Sequence, residues 1–260
     1  MDVRNKLRER LVAGEQSVGC WIHMCSNIAT EVIGLAGFDF VVIDHEHGPN
    51  EMLNSISLMQ ALSATECTPI MRAPWNDHVY IKRMLDIGAQ GIIIPSVDTA
   101  DQARAAVAAC RFPPDGVRGA AYPLVRASKF GFKTTEYMDG LPENILVMCQ
   151  IESATAVKNI DEIIAVEGID VLFIGPLDMS ASMGIIGQTE NPDFIEMRAR
   201  AEKAIKAAGK WMGGLAVKGD PVDAMRDRGY DLITGVSDAS LIRDAAIAHL
   251  GSLGRGNKLG

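Results

Sequence analysis

The sequence lacks any block of lysine or arginine, and acidic residues outnumber basic ones by 33 to 25, for a formal net charge of −8. A surface for nucleic acid or for an anionic membrane is therefore not expected. No apolar run approaches the roughly 20 residues that a membrane helix needs. The N-terminal segment Met1–Arg10 lacks the apolar core of a secretory signal, so we expect a cytoplasmic protein.

Cysteine is scarce, and its spacing carries no motif. The five cysteines are scattered, and none forms a CxxC pair or has the spacing of a zinc finger: Cys20, Cys25, Cys67, Cys110 and Cys149. This pattern predicts reduced thiols, mostly in the core, of a protein from a reducing compartment.

Short apolar runs alternate with segments of helical periodicity along most of the chain. The length of 260 residues suits one α/β barrel domain over residues 1–260 better than two small domains. The eight predicted strands are Val18–His23, Phe38–Ile43, Pro69–Arg72, Gly91–Pro95, Ile145–Gln150, Val171–Ile174, Trp211–Ala216 and Asp231–Val236. Eight strand–helix units predict a (β/α)₈ TIM barrel, although counting strands does not show closure and leaves a doubly wound sheet open.

One segment, Arg111–Asn144, breaks this rhythm. A long irregular stretch in a compact domain is often functional. A plain surface excursion is an equal alternative here.

Two acids, Glu152 and Asp178, each follow an apolar run that is predicted to be a buried parallel strand. Because α/β barrels place their chemistry at the carboxyl ends of the strands, both acids are expected at the same rim. Two hard oxygen donors that face one cavity suit a divalent cation that keeps positions open for substrate. Helix caps or salt bridges are the alternative.

Further polar residues end the second and third predicted strands. The second is followed by four titratable residues, Asp44 to His47, and histidine carries protons well near neutral pH. Arg72 ends the third strand, where it would either bind an oxyanion or form a salt bridge. Asp86 lies late in the next helix, and its spacing alone predicts a solvated or capping acid.

Together these segments resemble the HpcH/HpaI family of metal-dependent (class II) pyruvate aldolases, and the resemblance runs from Trp21 to the last helix. Its motifs, in order, are FDFVVIDHEHGPN (Phe38–Asn50), MRAPWND (Met71–Asp77), LDIGAQGIIIP (Leu85–Pro95), GVRG (Gly116–Gly119), QIE (Gln150–Glu152) and FIGPLDMSASMG (Phe173–Gly184). Any one of them is weak, whereas their order is specific.

The resemblance implies a Mg²⁺, Mn²⁺ or Co²⁺ ion held by Glu152 and Asp178. It further implies that pyruvate binds this ion through its keto and carboxylate oxygens. The substrate-binding residues would be Trp21, Gln150 and the turn made of Gly175, Pro176, Leu177 and Asp178.

The resemblance also implies the catalytic residues. Arg72 would face the keto oxygen of pyruvate, and His47 would be the base, assisted by Asp86. Asp44 and Glu46 would support the mouth of the site and its water network. The implied reaction is reversible cleavage of a 4-hydroxy-2-oxo acid to pyruvate, or a related 2-oxo acid, and an aldehyde.

The chain departs from the family pattern at two positions, which puts the aldehyde preference in doubt. His45 stands where relatives often have a small residue, and it would crowd or supplement His47. Tyr122 replaces a smaller residue. Arg118 and Arg126 would either bind a distal carboxylate of the aldehyde or be structural. Lys218 is expected to be an ordinary surface lysine rather than a Schiff-base residue.

Two rival functions stay open beside the aldolase. One is an oxaloacetate decarboxylase or another enolate-forming lyase of the same superfamily, and the other is a non-catalytic binding protein. The resemblance also implies a homohexamer of three dimers, in which the apolar-faced helix Ala239–Leu250 is exchanged between subunits.

Overall fold

The computed structural model of the protein describes residues 4–256. The strands are β1 (Ser17–Ile22), β2 (Phe40–Asp44), β3 (Thr68–Arg72), β4 (Gly91–Ile94), β5 (Leu146–Ile151), β6 (Val171–Ile174), β7 (Trp211–Leu215) and β8 (Leu232–Ser237). Each strand pairs in parallel with the next, and β8 pairs in parallel with β1. The sheet is therefore a closed barrel, which confirms the predicted TIM barrel and excludes the doubly wound sheet.

Helices precede the barrel and follow its strands. They are α1 (Lys6–Val12), α2 (Asn27–Leu35), α3 (Met52–Ala61), α4 (His78–Asp86), α5 (Ala100–Cys110), α6 (Thr134–Asp139), α7 (Ala154–Lys158), α8 (Ile160–Ile164), α9 (Pro176–Ser182), α10 (Pro192–Ala207), α11 (Val222–Asp227) and α12 (Asp238–Ser252). Two short 3₁₀ helices span Leu62–Ala64 and Arg126–Ser128.

The alternation of side chains along each strand determines which residues reach the site. In β2, Val41 and Ile43 pack outward against the helices, whereas Phe40 and Val42 pack inside the barrel. Because successive side chains point to opposite faces, Asp44 continues the inner row. The same rule turns the last polar side chain of several strands into the barrel mouth.

The amino-terminal end of the barrel is covered by α1. Leu7 and Leu11 of this helix are buried with the side chains of the barrel interior. The Asn5 side chain, which caps the helix, also donates hydrogen bonds to the carbonyls of Gln90 (2.6 Å) and Asn144 (3.2 Å). The carboxyl end is therefore the open end of the barrel.

The irregular segment 111–144 packs against the end of α4. Arg118 is fully buried, and its guanidinium donates to the Asp86 carboxylate at 2.7 Å. Arg126 donates to the carbonyl of Ile87 at 2.7 Å. These contacts hold the segment on the outside of the barrel, toward the amino ends of the strands.

The last helix, α12, packs on the protein only at its beginning. Its buried residue is Asp238, and the large apolar side chains further along are exposed: Ile242 (53%), Ile247 (42%) and Leu250 (39%), followed by Leu253 (61%) directly after the helix. Within residues 4–256, no helix has the length and the apolar character needed to cross a membrane.

Candidate active site

A cavity of about 490 Å³ opens at the carboxyl ends of the strands. Several of the predicted site residues line it: Trp21, His47, Arg72, Gln150, Gly175, Pro176, Leu177 and Asp178. The closed barrel thus collects at one mouth residues that are spread over most of the sequence. A cavity of this size is within the range of sites that bind small molecules.

Glu152 is buried beside this cavity, at the end of β5. One carboxylate oxygen accepts a hydrogen bond from the backbone N–H of Ser96 at 2.6 Å, and the other accepts one from the Gln150 amide. Burial, together with the charges of Glu46 and Asp178, raises the pKa of Glu152 to about 7, although the hydrogen bond from Ser96 and the charge of Arg72 act to lower it. The carboxylate of Glu152 therefore lies in a region of excess negative charge.

The donor set of this region fits a divalent cation. Burial also raises the pKa of Glu46. The charge of Arg72 acts to lower this pKa, whereas the charges of Asp44 and Asp178 raise it. Hard cations favour such carboxylate oxygens, and Mg²⁺ commonly takes only one or two of them beside water and substrate. Among residues 4–256 no three His, Cys, Asp or Glu side chains make a metal site on their own. Glu152 and Asp178 would thus leave most of the coordination shell to water and substrate.

Arg72 is held by two carboxylates and an indole ring. Its Nε and Nη2 donate to the two oxygens of Asp44 at 2.8 and 2.6 Å, and its Nη1 lies 3.1 Å from Glu46 Oε2. The guanidinium carbon lies 4.4 Å from the centre of the Trp21 ring. Arg72 therefore forms a salt bridge and also lines the cavity, so the two alternatives for this residue are compatible.

Asp44 is fully buried beneath Arg72. Burial alone would raise its pKa, but hydrogen bonds from His23 and Arg72, together with the positive charge of Arg72, hold that pKa well below its usual range. Asp44 is therefore ionised at neutral pH and orients Arg72.

The two histidines after β2 have different environments. The His47 side chain is 61% exposed at the cavity, and its Nε2 lies 3.8 Å from Glu46 Oε2. His45 is buried on the outer side of the strand, 2.8 Å from Ser55 Oγ and 3.2 Å from the Tyr80 hydroxyl. Burial lowers the pKa of His45, so its neutral form is favoured. His45 therefore neither crowds nor supplements His47 in the described structure.

The turn before α9 approaches Glu152 closely. Gly175 caps this helix, and a Cβ atom at this position would lie 2.8 Å from Glu152 Cβ and 2.9 Å from Glu152 Oε2. The first N–H groups of a helix have no partner inside the helix. The N–H groups of Leu177 and Asp178 are thus available beside the cavity that both residues line.

Asp86 lies away from the mouth within one chain. It is the last residue of α4, which runs from the carboxyl end of β3 back toward the amino ends of the strands. Arg118 donates a hydrogen bond to its carboxylate there, and Arg126 donates one to the carbonyl of the next residue, Ile87.

Tyr122 packs its ring on Phe112, with ring centres 6.0 Å apart.

The cavity lining, as far as residues 4–256 describe it, includes no lysine. Lys218 lies beyond the rim of β7, where its carbonyl accepts a hydrogen bond from Thr189 at 3.0 Å. Lys218 is exposed, in keeping with a surface lysine.

His23 was not predicted as a site residue, although it directly follows β1. Its ring lines the cavity, stacks on Trp21 and lies 2.9 Å from Asp44 Oδ2 through Nε2. It lies two positions after the predicted Trp21, with only Ile22 between them, so both side chains lie on the same face of an extended chain. That spacing is the sequence signal that would have found it.

The fold and this site define a class of protein, a TIM barrel with acids, an arginine and histidines at its carboxyl-terminal mouth. Residues 17–245 match the HpcH/HpaI aldolase/citrate lyase family, and the chain belongs to that family. The predicted resemblance is thereby confirmed. Members of this family generally depend on a divalent metal ion.

Two relatives have aldolase names. The chain is 38% identical to the hydroxypyruvate/pyruvate aldolase of Roseobacter denitrificans over 92% of this chain and 93% of that protein. It is 42% identical to the 5-keto-4-deoxy-D-glucarate aldolase of Salmonella arizonae over 85% of this chain and 84% of that protein. These likenesses confirm the prediction that the protein is an enzyme, an aldolase.

Solved structures of the family have the same architecture. An HpcH/HpaI aldolase/citrate lyase family protein from Burkholderia cenocepacia superposes with a TM-score of 0.91 at 36% identity, over 96% of this chain and 99% of that one. An HpcH/HpaI aldolase from Desulfitobacterium hafniense gives 0.88 at 27% identity, over 98% of both chains.

Proposed function

We propose that this aldolase cleaves a 4-hydroxy-2-oxo acid reversibly into pyruvate, or a related 2-oxo acid, and an aldehyde. One observation carries the proposal: Asp178 and Arg72 line one cavity, Glu152 is buried beside it, and the charges of Asp178 and Arg72 both act on Glu152. Anionic donors for a metal ion beside a fixed cation are what an enolate-forming site requires.

Glu152 and Asp178 would hold a divalent cation, Mg²⁺, Mn²⁺ or Co²⁺. Bound there, the cation would supply Lewis acidity at the keto oxygen of the 2-oxo acid. The raised pKa of Glu152 supports this assignment, because a buried carboxylate among other acids is stabilised by a positive charge.

Other residues would orient the 2-oxo acid. Its carboxylate would accept hydrogen bonds from the N–H groups of Leu177 and Asp178 and from the Gln150 amide, with Trp21 as an apolar wall. Gln150 Nε2 donates one of its two hydrogens to Glu152 and keeps the other, and the Trp21 Nε1–H donor is buried with no hydrogen-bond partner within residues 4–256, so both groups can donate to substrate. Arg72 would stabilise the keto oxygen as negative charge develops on it.

His47 would move the proton of the aldol hydroxyl during cleavage, directly or through a water molecule. Its exposure at the cavity supports that role. Asp86 lies at the opposite end of the barrel in the same chain, so it would assist a His47 only across a subunit contact. Arg118, buried against Asp86, would hold its carboxylate in place.

The proposed assembly is a homohexamer built from three dimers, in which partners exchange α12. The exposed apolar side chains of α12, defined above, support an intersubunit contact for this helix. A cytoplasmic location is supported by the five cysteines, which are all free within residues 4–256.

The proposed function is tested by following exchange of the pyruvate C3 protons with deuterium in the presence of added Mn²⁺, Co²⁺ or Mg²⁺. Exchange reports enolate formation without any aldehyde. An aldehyde screen with pyruvate then separates the aldolase from a decarboxylase, because only an aldolase consumes pyruvate when an aldehyde is added. Enzyme that neither exchanges these protons nor consumes pyruvate would refute the proposal.

A further inference from the structure

One side of the cavity, the β1–β8 wall, is formed by His23, Ser237 and Ser240. The ends of β1 and β8 are joined here by Asp238, whose buried carboxylate accepts the backbone N–H groups of His23 and Met24, each at 3.0 Å. This bridge places the His23 ring beside the first turn of α12.

The hydrogen bond to Asp44 determines which nitrogen of His23 carries a proton. His23 Nε2 lies 2.9 Å from Asp44 Oδ2, and an ionised carboxylate only accepts hydrogen bonds. Nε2 is therefore the donor, and Nδ1 of the neutral ring is an acceptor. The Trp21 ring, parallel to within 3° at 6.2 Å, fixes the plane of the imidazole. No described residue between 4 and 256 hydrogen-bonds to Nδ1.

Ser237 offers the complementary group. Its hydroxyl oxygen accepts the N–H of Ser240 at 3.0 Å as the cap of α12. The Ser240 hydroxyl instead donates to the Ser237 carbonyl at 2.9 Å and accepts the Ser237 N–H at 2.8 Å. The hydroxyl hydrogen of Ser237 has no acceptor in the described part of the chain, so it is free to donate into the cavity.

The β1–β8 wall lies across the barrel from β5, which carries the proposed enolate site at Gln150 and Glu152. The cavity has a volume of about 490 Å³. A water molecule, with its single heavy atom, takes ~30 Å³ of liquid. A three-carbon oxo acid is only a few times larger, so it would leave part of the cavity free. The space next to this wall is therefore free for the aldehyde half of the substrate.

We propose that His23 and Ser237 bind a hydroxyl group on the aldehyde half of the substrate, so that the enzyme selects hydroxyaldehydes over aldehydes without that hydroxyl. An acceptor and a donor that line the same cavity complement a hydroxyl, which both donates and accepts. This assignment rests on the proposed aldolase function and adds the chemical class of its aldehyde.

The test compares kcat/KM for glycolaldehyde with kcat/KM for acetaldehyde, each with pyruvate and added Mn²⁺. His23→Phe keeps an aromatic ring on Trp21 and removes Nδ1, and Ser237→Gly removes the hydroxyl at little cost to the helix cap. Each change should lower the glycolaldehyde-to-acetaldehyde ratio by about tenfold, the equivalent of one hydrogen bond. His78→Phe, at an exposed histidine that begins α4, is the matched control and should leave the ratio unchanged.

The ratio isolates the hydroxyl contact, because any disturbance of Asp44 or Arg72 affects the enolate that both aldehydes share. A ratio that stays at the wild-type value in both His23→Phe and Ser237→Gly would overturn the assignment, and so would an equal fall in His78→Phe. Deuterium exchange of pyruvate in the wild-type enzyme, measured first, distinguishes the failures. Its absence overturns the aldolase proposal as well, whereas exchange with an unchanged ratio overturns only the hydroxyl site.

Discussion

Arg72 illustrates how one residue is both anchored and available. A buried guanidinium needs a partner, and Asp44 supplies two hydrogen bonds to it. The guanidinium nitrogen that Asp44 does not bind, Nη1, lies beside Glu46, and Arg72 lines the cavity. Since its position is fixed before substrate binds, Arg72 costs no reorganisation when an oxyanion forms.

Arg72→Ala is expected to lower kcat by ~10²–10³-fold, as the loss of one oxyanion donor does. Arg72→Lys should restore only part of the rate, because a point charge lacks the planar fork that Asp44 holds. Deuterium exchange at C3 of pyruvate should fall in parallel. Exchange at the wild-type rate in Arg72→Ala would mean that Arg72 does not stabilise the enolate.

Asp44→Asn should destabilise the protein by roughly 3–5 kcal/mol at neutral pH, because it leaves the buried Arg72 without its anion. The lowered pKa of Asp44 means that this stabilisation is present above the pKa of the unfolded chain and is lost as pH falls through the folded value. The gap in unfolding free energy between wild type and Asp44→Asn should therefore shrink as pH falls below about 4. Urea titrations across that pH range measure it, and a gap independent of pH would contradict the assignment.

His47→Ala should lower the rate of aldol cleavage by ~10²–10⁴-fold, the usual contribution of a general acid or base, while pyruvate binding largely survives. His45→Ala is the matched control. It should lose stability on the order of 1–3 kcal/mol, because Ser55 and Tyr80 lose their buried partner, yet retain turnover. Greater loss of kcat in His45→Ala than in His47→Ala would show that the two assignments are reversed.

At the scale of elements, α12 stands out because a 15-residue helix leaves most of its length unburied in one chain. Isolated helices of this length are marginal in water, so packing must contribute to its stability. An exchanged helix in the proposed hexamer would obtain that packing from another subunit.

Replacing Ile242 and Ile247 together by Asp should shift the protein from the assembly toward smaller species in light scattering. The physical reason is that charge at an apolar contact carries a desolvation cost. Val12→Asp is the control, since Val12 is exposed (71%) on the unrelated helix α1. Assemblies of equal mass in the double variant and the control would exclude α12 from the interface.

For the whole molecule, metal removal is the decisive perturbation. Exhaustive chelation with EDTA should abolish turnover, and adding Mn²⁺, Co²⁺ or Mg²⁺ back should restore it. Glu152→Ala and Asp178→Ala should abolish metal-dependent turnover without unfolding the barrel, because both acids lie at the rim rather than in the apolar core. Full activity in chelated enzyme, with circular dichroism showing a folded protein, would rule out the metal assignment.

Much of the barrel could be predicted because its signals are local. Apolar runs such as Val171–Ile174 are strands in the structure with the predicted bounds. Inward placement of Asp44 and Arg72 follows from alternation along their strands. His23 escaped prediction because the sequence shows its position but not its contact with Asp44, a residue of the next strand.

The sequence by itself determined the order of strands and helices, the acids and the arginine at strand ends, and the family, because periodicity and motif spacing are written along the chain. Only the tertiary structure decided the closure of the sheet, the outward burial of His45, the distance of Asp86 from the mouth and the pairing of His23 with Asp44. Each of these depends on contacts between segments far apart in the chain. Strand register and helix packing create such contacts, and no local pattern records them.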